Sequence, residues 1–201
     1  MYKTEKFGII RHKKGKLVMM RLRSKKIFRI ALLWSEMVVC LLLIGCRDKS
    51  IDHYNRGLAH AKNGEYDLAI SEFTRAIEIN PGNADAYNNR GNAYRKKGQF
   101  DLVIPDCTKA IEINPQLADA YYNRAVAYDN QASYDLAISD LDKALKINPK
   151  HANAYNSRAI AYYHKAEYDK AWQDVQEAQS LGVQVHPGFL EALRDASGRE
   201  K

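Results

Sequence analysis

The sequence predicts an all-α fold, a solenoid of four helix hairpins with a C-terminal capping helix, on three observations. First, AYNNRGNAY at 86–94 is echoed by DHYNRGLAH at 52–60, AYYNRAVAY at 120–128 and AYNSRAIAY at 154–162, always with the same interval between starts. Second, AIEINP ends at Pro81 and again at Pro115, and ALKINP ends at Pro149, on the same period. Third, apolar and small residues between these motifs recur with helical spacing. A fixed period of this length marks stacked units, none of which can bury its apolar face alone.

The chain opens on a segment unlike the rest. Residues 1–45 hold 11 Lys/Arg and 2 Asp/Glu, a net of +9, and residues 46–201 hold 20 and 22, a net of −2. The formal charge of +7 therefore belongs to the leader. The repeats have no cationic excess for phosphates, so no nucleic-acid partner is expected. Basic residues cluster from Arg11 to Arg29, and the apolar IALLWSEMVVCLLLIGC, Ile30 to Cys46, follows. A basic region followed by an apolar one is the anatomy of an export signal. Met19 or Met20 opens MMRLRSKKIF, a second start that gives a leader of ordinary length and assigns residues 1–18 to an upstream start.

The end of the apolar run, LIGC from Leu43 to Cys46, resembles the lipobox of bacterial lipoprotein signals. The resemblance implies cleavage before Cys46, a thioether-linked lipid on its sulfur and an acylated new N-terminus. Several acyl chains hold a protein at a bilayer better than one, since each buried methylene adds about 0.8 kcal/mol. An uncleaved membrane anchor is the competing reading. It is disfavoured because the uncharged stretch Met37–Gly45 is short for about 30 Å of hydrocarbon, and Glu36 interrupts the longer one. Cys40 would leave with the signal and Cys46 would carry lipid, so Cys107 is the free thiol and the mature chain forms no internal disulfide.

The resulting division is a signal over 1–45, a short tether over 46–50, repeats over 50–83, 84–117, 118–151 and 152–183, and a capping helix and tail over 184–201. In the second unit, helix A runs from Asp85 to Lys97, where Gly98 stops it, and helix B runs from Asp101 to Ile113, with Pro115 beyond its end. Tyr87, Arg90, Gly91 and Tyr94 share one face of helix A, and Val103, Cys107 and Ala110 one face of helix B. Small residues at 91 and 110 let the two helices approach. Pro105 is read into the first turn of its helix, where a missing N–H costs least. The fourth copy replaces its Asn-Pro close with EAQSLGV. In VHPGFLEALRDASG, Pro187 suits a helix start, Gly198 a stop, and Phe189, Leu190 and Leu193 share a face, so 186–197 reads as the cap.

Over 50–183 this pattern resembles the tetratricopeptide repeat. The small position of the family's helix A falls on Gly57, Gly91, Ala125 and Ala159, and its aromatic on His60, Tyr94, Tyr128 and Tyr162. In helix B the aromatic falls on Tyr66, Phe100, Tyr134 and Tyr168, and the alanine on Ala76, Ala110, Ala144 and Ala178. The closing proline is Pro81, Pro115 and Pro149, then Val183. The first repeat departs with His53 and His60 where the others carry Tyr. Cys107 is smaller than its counterpart Phe73, so neighbours are expected to fill that core.

The resemblance implies a right-handed superhelical solenoid whose A helices line a concave groove that binds peptide segments of partner proteins. Carried over to this sequence, the groove comprises Tyr54, Leu58, Asn88, Asn89, Asn92, Arg95, Tyr122, Asn123, Val126, Asp129, Asn130, Asn156, Ile160 and Tyr163. Asparagine amides both donate and accept, which suits a peptide backbone. The chaperone-binding members' carboxylate clamp maps to Tyr54, Leu58, Asn89, Asp119 and Asn123, where only Asn89 matches, so that specificity is not expected.

One row needs its own explanation. Arg56, Arg90, Arg124 and Arg158 sit on or beside the packing face, where a charge needs a partner. Glu72, Asp106, Asp140 and Asp174 follow them in step, one acid at the same offset from each arginine, on the inner stripe of helix B. The expectation is a ladder of structural ion pairs, closed either within repeats or between them. Arginine suits this because its planar fork holds a carboxylate bidentately.

Nothing points to catalysis. His53, His60, His151, His164 and His186 are scattered, and no phosphate loop, nucleophile elbow or metal-ligand pair occurs. The expected protein is a non-enzymatic scaffold or assembly adaptor, tethered in the bacterial envelope and facing the periplasm. It would need no cofactor or metal beyond the lipid on Cys46, and take no small-molecule substrate. Its partners would be proteins, through peptide segments, and the membrane, through the lipid. The alternatives are a recruiting subunit of an envelope enzyme and a cytoplasm-facing adaptor on an uncleaved anchor.

Overall fold

The computed structural model describes residues 7–11, 17–21 and 49–199. They belong to two compact units, Met1–Asp48 and Lys49–Lys201. In the first, strands β1 (Phe7–Arg11) and β2 (Leu17–Arg21) pair antiparallel, with Phe7 opposite Arg21 and Arg11 opposite Leu17. The all-α expectation has no place for them. FGIIR and LVMMR combine β-branched and large apolar residues, which favour strands, a preference that net charge and overall apolarity do not register. Translation from Met19 or Met20 would leave out β1. The tract Ile30–Cys46, with its lipobox and Cys46, lies outside the described residues.

The second unit is all helix. It comprises α1 (residues 49–62), α2 (Tyr66–Ile79), α3 (Ala84–Lys96), α4 (Phe100–Ile113), α5 (Ala118–Asn130), α6 (Tyr134–Ile147), α7 (Ala152–His164), α8 (Tyr168–Ser180) and α9 (Pro187–Ser197). Helices α3 and α4, α5 and α6, and α7 and α8 pack as hairpins, and each hairpin packs on the next. Lys49 and Ser50, expected in the tether, are already helical. Ser50 is buried, and its hydroxyl donates to the Ala76 carbonyl at 3.0 Å.

Two turns alternate along the stack. Each helix A ends with a left-handed residue: Gly64 (φ 78°), Gly98 (φ 72°), Ala132 (φ 56°) or Ala166 (φ 59°). The next amide then bonds back to the last turn, as from Gln99 N–H to the Tyr94 carbonyl at 3.0 Å and from Ser133 N–H to that of Tyr128 at 2.8 Å. Each helix B ends differently. The side-chain oxygens of Asn80, Asn114 and Asn148 accept from the amides of Gly82, Gln116 and Lys150, each at 3.1 Å, bridging over the proline. The fourth helix B has no such asparagine; Gly182 (φ 90°) ends it, and Val183 N–H reaches the Ala178 carbonyl at 2.9 Å. Pro105 is the sixth residue of α4, not in its first turn, because that helix starts at Phe100. Its ring therefore removes a regular helix bond, on an exposed edge.

The core is a row of small-against-large contacts between A and B helices. Phe73 is fully buried against Gly57, where an added Cβ would lie 2.6 Å from the ring. Leu141 packs with Ala125, and Val175 with Ala159. At Gly91 an added Cβ would lie 3.0 Å from the Cys107 sulfur. Tyr94, Phe100, Ile104 and Ala127, the last from the following hairpin, complete the packing around Cys107 and Val103.

The capping helix continues the period. Phe189, Leu193 and Arg199 stand one full repeat after Tyr155, Ala159 and Lys165. Lys97, Gln131, Lys165 and Arg199 each bridge back to an aspartate 30 residues earlier, at 67, 101, 135 and 169. Helix α9 thus takes the place of a fifth helix A. Leu193 is fully buried with Val175, Ala178 and Val185, and Ala192 stands where the other A helices carry arginine.

Candidate protein-binding groove

Helices α1, α3, α5 and α7 stand side by side, and side-chain amides tie α3 to α1 and α5 to α3, one step out of phase. Asn89 donates to the Tyr54 hydroxyl at 3.0 Å, and Asn123 donates to the Asn88 side-chain oxygen at 3.0 Å. Asn88 and Asn123 are only 6% and 4% exposed, so this pair joins two hairpins and has little surface for a partner. Tyr54 packs its ring on Phe73, 5.9 Å between centroids.

A pocket of about 230 Å³ opens where three hairpins meet. Asn88, Asn89, Asn92 and Arg95 of α3 line it with Asp119, Tyr122 and Asn123 of α5, and with His151 and Asn153 at the start of α7. Six of the fourteen sequence-predicted groove residues therefore share one cavity. His151, missed as a groove residue, caps α7 by accepting from Ala154 N–H at 3.2 Å. Its ring lies 4.8 Å from that of Tyr122 and 3.2 Å from the Asp119 carboxylate, which it holds below the usual aspartate range. The only sequence signal is its place just before a helix.

The remaining predicted residues lie outside this cavity. Leu58 and Asn130 are exposed, and Val126, Asp129, Asn156 and Ile160 are half-buried. Tyr163 meets Phe189 of α9 edge-on at 5.6 Å, so the cap covers the end of the row.

The arginines divide into three of one kind and one of another. Arg90 donates to both Asp106 oxygens at 2.7 Å, Arg124 to those of Asp140 at 2.7 and 3.0 Å, and Arg158 to those of Asp174 at 2.8 and 2.7 Å. Each carboxylate bond closes within a hairpin. The third guanidinium nitrogen crosses to the hairpin before, reaching Thr74 at 3.0 Å, Thr108 at 2.9 Å and Asp142 at 2.5 Å. The ladder therefore closes both ways. The first rung is a correction. Arg56 pairs with Asp52 on the surface, and Glu72 takes His53 at 2.7 Å, which lowers the Glu72 pKa. Among the described residues no hairpin precedes Arg56 to supply the third acceptor, so its guanidinium gains more from water.

Among the described residues, no group of three or more His, Cys, Asp or Glu is placed to hold a metal, and no helix is long and apolar enough to cross a membrane. Burial pushes the Cys107 thiol up to about 12. The arrangement offers hydrogen bonds, stacking and charge, all means of binding.

A model described as tetratricopeptide repeat matches residues 84–117 and 118–151, and two further models of the repeat match 57–98 and 141–173. Similar solved structures include the Arabidopsis OM64 TPR domain, 28% identical over 59% of this chain and 98% of that one, with a TM-score of 0.58. The first TPR of Spaghetti (RPAP3), bound to the HSP90 peptide SRMEEVD, is 26% identical over 59% of this chain and 94% of that one, also at 0.58. The MamA protein is 23% identical over 75% and 84%, with a TM-score of 0.63, a likeness of fold alone. No curated protein matches the sequence.

Proposed function

The chain belongs to the tetratricopeptide repeat family, and on that premise we propose that it is a non-catalytic scaffold, lipid-tethered in the bacterial envelope, that takes segments of partner proteins into the groove of α1, α3, α5 and α7. The observation that carries the reading is the polar pocket built from three successive hairpins, each giving side chains from the same helix face. A partner lying along it touches several repeats at once, which is how a solenoid turns repetition into affinity. The similar RPAP3 domain holds a peptide. Here Tyr54, Leu58 and Asp119 replace the clamp residues of chaperone-binding relatives, so a different segment chemistry is expected. The tether rests on the resemblance of Leu43–Cys46 to a lipobox.

Two experiments test these parts separately. A photo-crosslinker at Asn92 or Tyr122, in cells expressing the full chain, should capture a defined set of proteins that the same probe at the exposed Leu102 does not. Equal capture from both sites would remove the groove from the proposal. Mass spectrometry of the mature N-terminus should find diacylglycerol on Cys46. Intact residues before it would instead establish an uncleaved anchor.

A further inference from the structure

Within that groove reading, on which it rests, we infer that the occupant is read by charge: Arg95 takes an acidic side chain, and Asp129, one hairpin further along, takes a basic one about three residues away.

Arg95 is unlike the arginines of the ladder. Its Nη2 donates to the Asn92 side-chain oxygen at 2.8 Å, and its guanidinium lies over the Tyr122 ring at 5.7 Å. Its Nε is buried with no hydrogen-bond partner, and among the described residues no carboxylate pairs with it. A half-buried cation with neutral neighbours is under-compensated, and an incoming carboxylate completes it. The acid that lines the same pocket, Asp119, is engaged by His151.

Asp129 stands one full repeat after Arg95, at the equivalent place on the next helix A. Its Oδ1 is buried and accepts no hydrogen bond. Burial raises its pKa, with His164 opposing the shift. A carboxyl short of donors is suited to an ammonium or guanidinium. Among the described residues no ion pair joins the two groups, which project from neighbouring A helices. Packed helices lie roughly 8–10 Å apart. A polyproline-II-like segment advances about 3.1 Å per residue and brings every third side chain to one face. An acid and a base three residues apart therefore span about that distance on one face.

The test is selection of phage-displayed random heptapeptides on the full chain. Wild type should enrich peptides with an acid and a base three apart, in one chain order. The double variant Arg95→Glu, Asp129→Lys should enrich the opposite order. Arg95→Gln and Asp129→Asn, whose helicity circular dichroism verifies, should each weaken a selected synthetic peptide about tenfold or more in fluorescence anisotropy. The inference is overturned if no peptide is enriched, if the spacing is absent, or if both proteins select the same order. Crosslinking of selected peptides separates the two levels. Peptides that reach Asn92 without the charge spacing overturn this inference alone, whereas peptides captured only at Leu102 overturn the groove itself.

Discussion

Arg124 holds Asp140 through two parallel hydrogen bonds across one hairpin while its third nitrogen grips Thr108 of the hairpin before. One side chain thus ties three helices. Arg124→Ala is expected to destabilise the fold by about 3–5 kcal/mol, because Asp140 stays buried without its partner. Arg56→Ala, which breaks only an exposed pair, should leave thermal unfolding unchanged. Partner affinity of the folded fraction should survive Arg124→Ala. A stable Arg124→Ala protein that no longer binds would place the row in the groove.

The glycines facing helix B should differ in their tolerance of a methyl group. Gly57→Ala drives a Cβ to 2.6 Å from the buried Phe73 ring, and about 1–3 kcal/mol of overpacking follows. Gly91→Ala brings a Cβ to 3.0 Å from the Cys107 sulfur, with Asp106 Cβ and the Val103 carbonyl oxygen at ordinary contact, and alanine gains about 1 kcal/mol of helix propensity. Urea titration should show a clear loss for the first and a change near zero for the second.

Ala132 and Ala166 occupy the left-handed site that Gly64 and Gly98 fill in the first two hairpins. An L-residue there costs roughly 1–2 kcal/mol. Ala132→Gly and Ala166→Gly should each raise stability by about 1 kcal/mol. Gly98→Ala should lower it by a similar amount, since nothing lies near its added Cβ. Identical melting curves for all three variants would show that the turn is not under conformational strain.

Cys107 makes a prediction in pH. Its folded thiol ionises at about 12, against about 9 when exposed. The stability that follows from keeping it neutral is complete below pH 9. It is lost as pH rises toward 12, because the unfolded chain releases the proton first. Between pH 9 and 11 wild type should lose more stability than Cys107→Ala, by an amount on the order of 1–3 kcal/mol. Parallel curves would exclude the coupling. At neutral pH, iodoacetamide should modify this thiol only as fast as the repeat opens.

Much of this is visible in the sequence because a helix has one fixed period and its hairpin another, far longer one. Tyr87, Arg90, Gly91 and Tyr94 share a face by local geometry alone, and the recurrence of Arg90 and Asp106 in step marks them as partners. The strands β1 and β2 left no such trace, since two short apolar runs have no period. The left-handed backbone at Ala132 and Ala166 is hidden too, because the residue type there does not ask for it. Helix α9 could have been recognised as a fifth helix A by stepping one repeat on from Lys165 to Arg199.

The sequence by itself determined that this chain is a stack of helix hairpins and that an acid recurs at one fixed offset from each arginine. Both are properties of neighbours along the chain. Only the tertiary structure decided that Arg56 turns to Asp52 while Arg90 turns inward, that Asn88 and Asn123 satisfy each other, that His151 joins Tyr122, and that Arg95 Nε and Asp129 Oδ1 are buried without hydrogen-bond partners. Burial and hydrogen-bond partners depend on what stands opposite in space, and for these residues that is a helix from another repeat, far away along the chain.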